Sequence, residues 1–175
     1  MKTLSSESIR QAAANFQLPR YHEIPNVGLY LEQVTKYISE YLSPLQEGCI
    51  TGSMISNYVK KGLVANPIKK QYSREQIAYL IFIALAKNIL SLDNLAQFIQ
   101  LQKQTYPSEQ AYNYFCNELE NMLQVVFGLK ATPDDVGTDS TDAKVMLRNT
   151  IIAVTHKIFL EKCFKLMAAE SAEQN

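Results

Sequence analysis

The sequence has only two histidines, His22 and His156, and three cysteines, Cys49, Cys116 and Cys163. Neither histidine belongs to a His-Glu-x-x-His or comparable metal-ligand spacing, and no Cys-x-x-Cys pair occurs. A zinc site and a disulfide framework are therefore not expected, and the cysteines read as free, packed thiols. Asp134, Asp135, Asp139 and Asp142 cluster without the alternating spacing of a calcium loop, and read as a solvated loop capping the last helix. His156 lies among Ile151, Ile152, Val154 and Ile158 and reads as a core or interface histidine. Glycine-rich phosphate loops and the Gly-x-Ser-x-Gly elbow are missing. Nothing brings together a nucleophile, a base and an orienting group, so the expectation is no enzyme, with no catalytic residue, cofactor or metal. The longest apolar run, residues 77–86, stops at Lys87, short of the roughly 18–20 residues a membrane span needs. The first seven residues hold no apolar signal-peptide centre. The chain reads as cytoplasmic, with no membrane partner.

What is present is apolar and helical. The 175 residues suit one domain, or one small domain with an appendage. Hydrophobic residues make up 47% and charged residues 19%, enough to build a core and to exclude disorder throughout. The net charge is zero, but it is unevenly spread. Residues 1–75 carry nine Lys and Arg against six Asp and Glu; residues 76–175 carry eight against eleven. From Gly48 to Arg74 there is no acidic residue, and five basic ones: Lys60, Lys61, Lys69, Lys70 and Arg74. A basic island in a neutral chain points to a local anionic partner.

Sparse glycine and proline mark the boundaries. A short helix is expected over Ser5–Asn15. Residues 18–25, with Pro19 and Pro25, read as extended. Asn26 is placed to cap a helix to about Leu42, where Leu29, Leu31, Val34, Tyr37, Ile38, Tyr41 and Leu42 recur at helical spacing. A short helix follows from Gly52 to Lys61, with Thr51 as N-cap and Gly62 as left-handed C-cap. Residues 63–72 read as a loop or short hairpin. Ser73 and Gln76 form a capping box for a very apolar helix to about Asn88. Ser91 restarts a helix to about Lys103, and Pro107 precedes one ending near Gly128. A polar loop, 131–141, leads to a last helix over 142–167, apolar on more than one face, which must bury two sides. Residues 168–175 read as a frayed tail.

One constellation carries chemistry. On the 52–61 helix, Ile55, Tyr58 and Val59 can face a core, leaving Ser53, Ser56, Asn57 and Lys60 outward. Asparagine pairs with adenine, serine bonds a base or phosphate, and lysine contacts guanine or phosphate. An apolar underside, a donor-rich upper side and no carboxylate are what a recognition helix requires. Lys69 and Lys70 can then reach flanking phosphates as a wing does. Arg20, Tyr21 and His22 in the extended lead-in read as a clamp on the fold.

These residues resemble a family. Ile55-Ser56-Asn57-Tyr58-Val59-Lys60-Lys61-Gly62-Leu63-Val64 is similar to the recognition helix and exit of MerR-type bacterial transcription regulators, Leu-Arg-Tyr-Tyr-Glu-x-x-Gly-Leu-Leu. Gln71-Tyr72-Ser73-Arg74-Glu75-Gln76-Ile77 resembles the Arg-x-Tyr-Ser-x-x-Asp-Leu that follows the wing, and Asn88-Ile89-Leu90-Ser91-Leu92-Asp93-Asn94 the Gly-Phe-Ser-Leu-x-Glu-Ile of the next helix. Ser56 and Asn57 stand where the family has Arg and Tyr, which removes one expected phosphate contact. The layout from Leu18-Pro19 onward resembles a bacterial conserved domain family of unknown function that contains a MerR-like module.

The expectation is an all-α protein: an N-terminal helix and lead-in over 1–25, a MerR-like winged helix-turn-helix over 26–104, and a helical dimerisation or effector region over 105–175. The resemblance implies sequence-specific binding of double-stranded DNA by a homodimeric transcription regulator. The expected DNA contacts are Thr51, Ser53, Ser56, Asn57, Lys60, Lys61, Lys69, Lys70 and Tyr72, with the Tyr58 ring packed. The C-terminal helices leave room for a small-molecule effector. Two other readings stand beside this one: a protein-interaction module using the helix-turn-helix as scaffold, and a helical bundle that binds a small molecule in an apolar cavity.

Overall fold

The computed structural model describes residues 7–135 and 140–173. Among them are seven helices and one two-stranded sheet, so the chain is mostly helical. The order is α1 (Glu7–Ala14), a 3₁₀ turn (Tyr21–Glu23), β1 (Leu29–Tyr30), α2 (Leu31–Leu42), α3 (Gly52–Lys60), β2 (Gln71–Tyr72), α4 (Arg74–Ala86), α5 (Leu92–Thr105), α6 (Ser108–Val126) and α7 (Asp142–Glu173).

α4 is the central element. Ile77, Leu80, Ile81, Ile83, Ala84 and Leu85 are all buried, as expected of a helix that is apolar all round. α2, α6 and α7 all pack on it. Ser73 Oγ accepts the Gln76 N–H at 3.3 Å and Gln76 Oε1 accepts the Ser73 N–H at 2.8 Å, the reciprocal cap that starts α4. Ser91 caps α5 through its side chain alone, accepting from the Asn94 N–H. α6 ends in a Schellman motif: Gly128 at φ 72° donates to the Val125 carbonyl and Leu129 to that of Gln124. One contiguous core runs from Ile9 on α1 to Cys163 on α7, with all three thiols buried in it.

The lead-in is a clamp. Arg20 makes a bidentate ion pair with Glu120 of α6, both bonds 2.7 Å, and Glu120 also accepts the Leu18 N–H at 2.9 Å. Tyr112 O–H donates to the Pro19 carbonyl at 2.9 Å, and the Tyr21 N–H to Asn113 Oδ1 at 2.9 Å.

Three sequence expectations are corrected. The helix placed from Asn26 begins at Leu31, because Leu29 and Tyr30 pair as β1 with Tyr72 and Gln71. Gly28 permits this approach: a Cβ there would lie 2.6 Å from that of Gln71. The last helix does not stop at Met167 but continues to Glu173 through alanine and glutamate, good helix formers. His156 is exposed, since Ile151, Val154 and Ile158 take the core side of α7 and two residues along a helix is nearly the opposite side. The loop at Asp134 and Asp135 is exposed, as a solvated loop should be, and Asp134 is held through its backbone N–H and carbonyl to the Asn121 amide, both bonds 2.9 Å. Asp139, Ser5, Ser6, Gln174 and Asn175 lie outside the described residues.

Candidate nucleic-acid interface

α3 begins where Thr51 Oγ1 accepts the Met54 N–H at 3.2 Å. Ile55 and Tyr58 turn inward and are buried, and burial raises the Tyr58 hydroxyl above its ordinary pKa. Ser53, Ser56, Asn57 and Lys60 recur at i, i+3, i+4 and i+7, and all four are exposed. Thr51 and Lys61 are exposed at the two ends. Lys87 supports the helix from behind: its ammonium donates to the Cys49 carbonyl and to Met54 Sδ, and desolvation lowers its pKa. The sequence offers no signal for that role beyond a lone lysine closing an apolar run.

The exit from α3 is rigidly specified. Gly62 at φ 78° donates to the Val59 carbonyl, and Leu63 donates to that of Tyr58 at 3.0 Å. This is a Schellman motif with its apolar contact made by the buried Leu63. The following loop is tied to α4 through Gln76, whose Nε2 donates to the Ala65 carbonyl at 2.8 Å and that of Asn66 at 3.3 Å. The helix that carries the donors and the hairpin that follows thus share one anchor.

The hairpin itself is short. Ile68 and Gln71 exchange both backbone bonds, at 3.1 and 2.9 Å. Between them Lys69 and Lys70 stand at φ 50° and 63°. Two consecutive positive φ values define the mirror-image turn that favours Asn-Gly, because a Cβ is strained there. Both lysines are exposed. Gln71 pairs with Ile68 on one side and Tyr30 on the other, so these three residues form one cross-strand row on one face. Tyr30 and Ile68 are largely solvent-exposed.

Two expected members fall elsewhere. Tyr72 is 4% exposed, and burial raises its pKa. It sits on the underside of the strand, one residue out of phase with the half-buried Gln71, and is not part of the surface. Arg74, counted with the basic island, turns back on the fold. Its Nε donates to the Ile24 carbonyl at 2.8 Å, a second nitrogen reaches that of His22 at 3.2 Å, and the guanidinium lies 5.7 Å from the Tyr21 ring centre. The island therefore presents four cations, Lys60, Lys61, Lys69 and Lys70. None of them forms an ion pair among the described residues. A shallow depression between α2 and α3, lined by Ser53, Ser56, Glu32 and Lys36, brings one carboxylate to the edge of this surface.

Among the described residues no group of three or more His, Cys, Asp and Glu side chains could hold a metal ion, and no helix is long and apolar enough to cross a membrane. The family model described as a domain of unknown function, DUF1836, matches residues 19–115, just over half of the chain. The match spans the lead-in, the sheet, α2 to α5 and the first part of α6. No curated protein and no solved structure matches the chain.

Proposed function

The chain belongs to the family of the domain of unknown function DUF1836, and from that premise we propose that it binds duplex DNA as a homodimeric transcription regulator. The module from α2 to α5 acts as a winged helix-turn-helix similar to that of MerR-type regulators. α3 enters the major groove, where Ser53, Ser56, Asn57 and Lys60 meet base edges and phosphates. The hairpin lays Lys69 and Lys70 on the flanking backbone, with Lys61 and the Thr51 end of α3 beside them.

The observation that carries this reading is the hairpin tip. Two exposed lysines occupy backbone positions where asparagine and glycine are more stable. Local strain held at an exposed site marks function. Residues 48–74 hold no carboxylate to repel a phosphate backbone. Dimerisation is supported by α7, where Leu160, Phe164 and Met167 recur at i, i+4 and i+7 yet remain more than half exposed. A two-fold pair would place two α3 helices at half-site spacing.

Anisotropy of a labelled duplex, titrated with protein at several salt concentrations, tests the reading. Each phosphate neutralised adds about 0.9 to the slope of log affinity against log salt. Lys60→Glu is expected to weaken binding at least tenfold with unchanged thermal unfolding. Lys69→Glu with Lys70→Glu should also lower the slope by roughly two. Salt-independent affinity, or none at low salt, overturns the reading. One observation favours a second reading, a protein-interaction module: the Tyr30–Gln71–Ile68 row, whose Tyr30 and Ile68 are exposed, with Val27 72% exposed nearby in sequence. In that case Ile68→Asp abolishes partner capture while the lysine variants leave it intact.

A further inference from the structure

On α4, away from the hairpin, four helices fail to close on one another. α4, α5, α6 and the start of α7 surround a cavity of about 300 Å³. Protein interiors pack to the density of organic crystals, with few voids larger than a water molecule. A site of about 150 Å³ lined by aliphatic and aromatic groups stays dry and accepts benzene. Pockets for small ligands begin near 300 Å³ and are mainly apolar, with a few placed polar groups. This cavity meets that description.

Its wall is aromatic. Phe82 of α4 stands edge-to-face with Phe98 of α5 and Phe115 of α6, ring centres 5.5 and 5.4 Å apart. Ala78, Ala111 and Ala143 keep three helices from filling the space between these rings. The small side chains and the large rings together leave room for a planar ring system, and the space does not come from one residue alone.

Three polar groups of the wall are bound to each other, and Lys144, which also lines it, has its ammonium 4.6 Å from the Tyr114 ring centre. Tyr79 O–H donates to Gln102 Oε1 at 2.7 Å and lies 3.0 Å from Ser108 Oγ. Gln102 Nε2 donates to the Tyr106 carbonyl at 2.9 Å, and Ser108 donates to Glu75. This chain can trade one bond with a neutral hydroxyl or carbonyl. It offers no compensation to a desolvated charge, and the Lys144 ammonium of the wall is already held over the Tyr114 ring. Burial already raises the Tyr79 hydroxyl above its ordinary pKa.

We infer that this cavity is a binding site for a neutral, planar, largely apolar small molecule of about two fused rings bearing at most one or two hydrogen-bonding groups. The ligand slides between Phe82, Phe98 and Phe115 and meets the Tyr79–Gln102–Ser108 chain with its polar atom. The site is separate from the lysine surface and stands whether or not the chain binds DNA.

The test uses the full chain and two probes of one shape, neutral 2-naphthol and anionic 2-naphthoate, in calorimetric titration and in methyl NMR. The neutral probe is expected to bind with a negative heat-capacity change and to shift the methyl signals of Ala78, Ala111, Ala143 and Leu147. Ala111→Phe fills the slot and is expected to weaken binding at least tenfold. If that variant does not fold, Ala143→Leu, a smaller filling, is read in its place. Absence of heat and of methyl shifts with the wild-type chain overturns the site. Undiminished binding by a folded, filled variant does the same. Tighter binding of 2-naphthoate than of 2-naphthol overturns the neutral class of ligand.

Discussion

The segment from Gly48 to Tyr72 and the helical body around α6 use charge in opposite ways. In the first, Lys60, Lys61, Lys69 and Lys70 face solvent and make no ion pair among the described residues. In the second, charge turns inward. Arg20 grips Glu120, with 27% and 14% of the side chains exposed, and Arg148 lies 3.4 Å from Glu118, whose side chain is 3% exposed. A pair inside the fold is spent on architecture. A cation held outward on a strained turn stabilises nothing in the chain itself, so its value lies in what it meets. On the proposed function, the difference separates a part of the molecule tuned for stability from a part tuned for a partner.

The largest effect that would break this separation is at Glu120. Its two oxygens accept from Leu18 N and from both terminal nitrogens of Arg20. Glu120→Gln keeps the shape but removes the charge. Hydrogen bonds to charged groups are worth about 1.5–3 kcal/mol each, so a loss of ~2 kcal/mol in unfolding free energy is expected. Urea denaturation measures it. Duplex affinity below the melting range and its salt slope should stay at wild-type values. A changed slope would mean that the lead-in and the hairpin are energetically one unit.

The reverse substitution belongs at the turn. Lys69→Asn with Lys70→Gly restores the residues a mirror-image turn prefers. Relief of strain at two left-handed positions is expected to stabilise the fold by ~1 kcal/mol. The same change removes two cations, so duplex binding should fall while the melting temperature rises. A variant that gains stability and loses no affinity would show that the strained lysines serve nothing outside the chain.

These two regions also differ in how far the sequence disclosed them. Caps are local: Thr51 with Met54, Ser73 with Gln76, and Gly62 after α3 involve residues at most a few positions apart, and pattern alone locates them. So does the face of α3, since a repeat of i, i+3, i+4 and i+7 follows from helical pitch. Pairings across the chain leave no such trace. β1 reads as the start of a helix because Leu29 and Leu31 fit helical spacing, and only the meeting with Gln71 and Tyr72, some forty residues on, makes it a strand. Tyr72 reads as exposed and Arg74 as free for the same reason: their partners, the core and the Ile24 carbonyl, arrive from elsewhere. The Phe82 cavity was legible only as a surplus of apolar residues in the C-terminal helices. Which rings face it depends on how four helices cross.

The smallest effect sharpens the contrast by pH. Burial pushes the Glu118 carboxyl above its ordinary pKa of 4.5, and Arg148, with Lys144 beyond it, opposes that shift without cancelling it. One carboxylate oxygen has no hydrogen-bond partner. A carboxyl whose pKa is higher folded than unfolded binds its proton more tightly in the folded state. Its contribution to stability is therefore greatest below 4.5 and declines as pH rises through the raised folded value. Glu118→Gln removes that titration. The stability of the variant measured against wild type should be lowest at acid pH and should improve, relative to wild type, from pH 4.5 upward, read from urea midpoints across pH 4–8. Glu118 belongs to the helical body and not to the lysine surface. Duplex affinity should then follow the same pH curve in the variant and in wild type. A variant whose stability ran parallel to wild type across the whole range would show that Arg148 neutralises Glu118 completely. The inward charges would then be balanced pairs and not one strained acid among them.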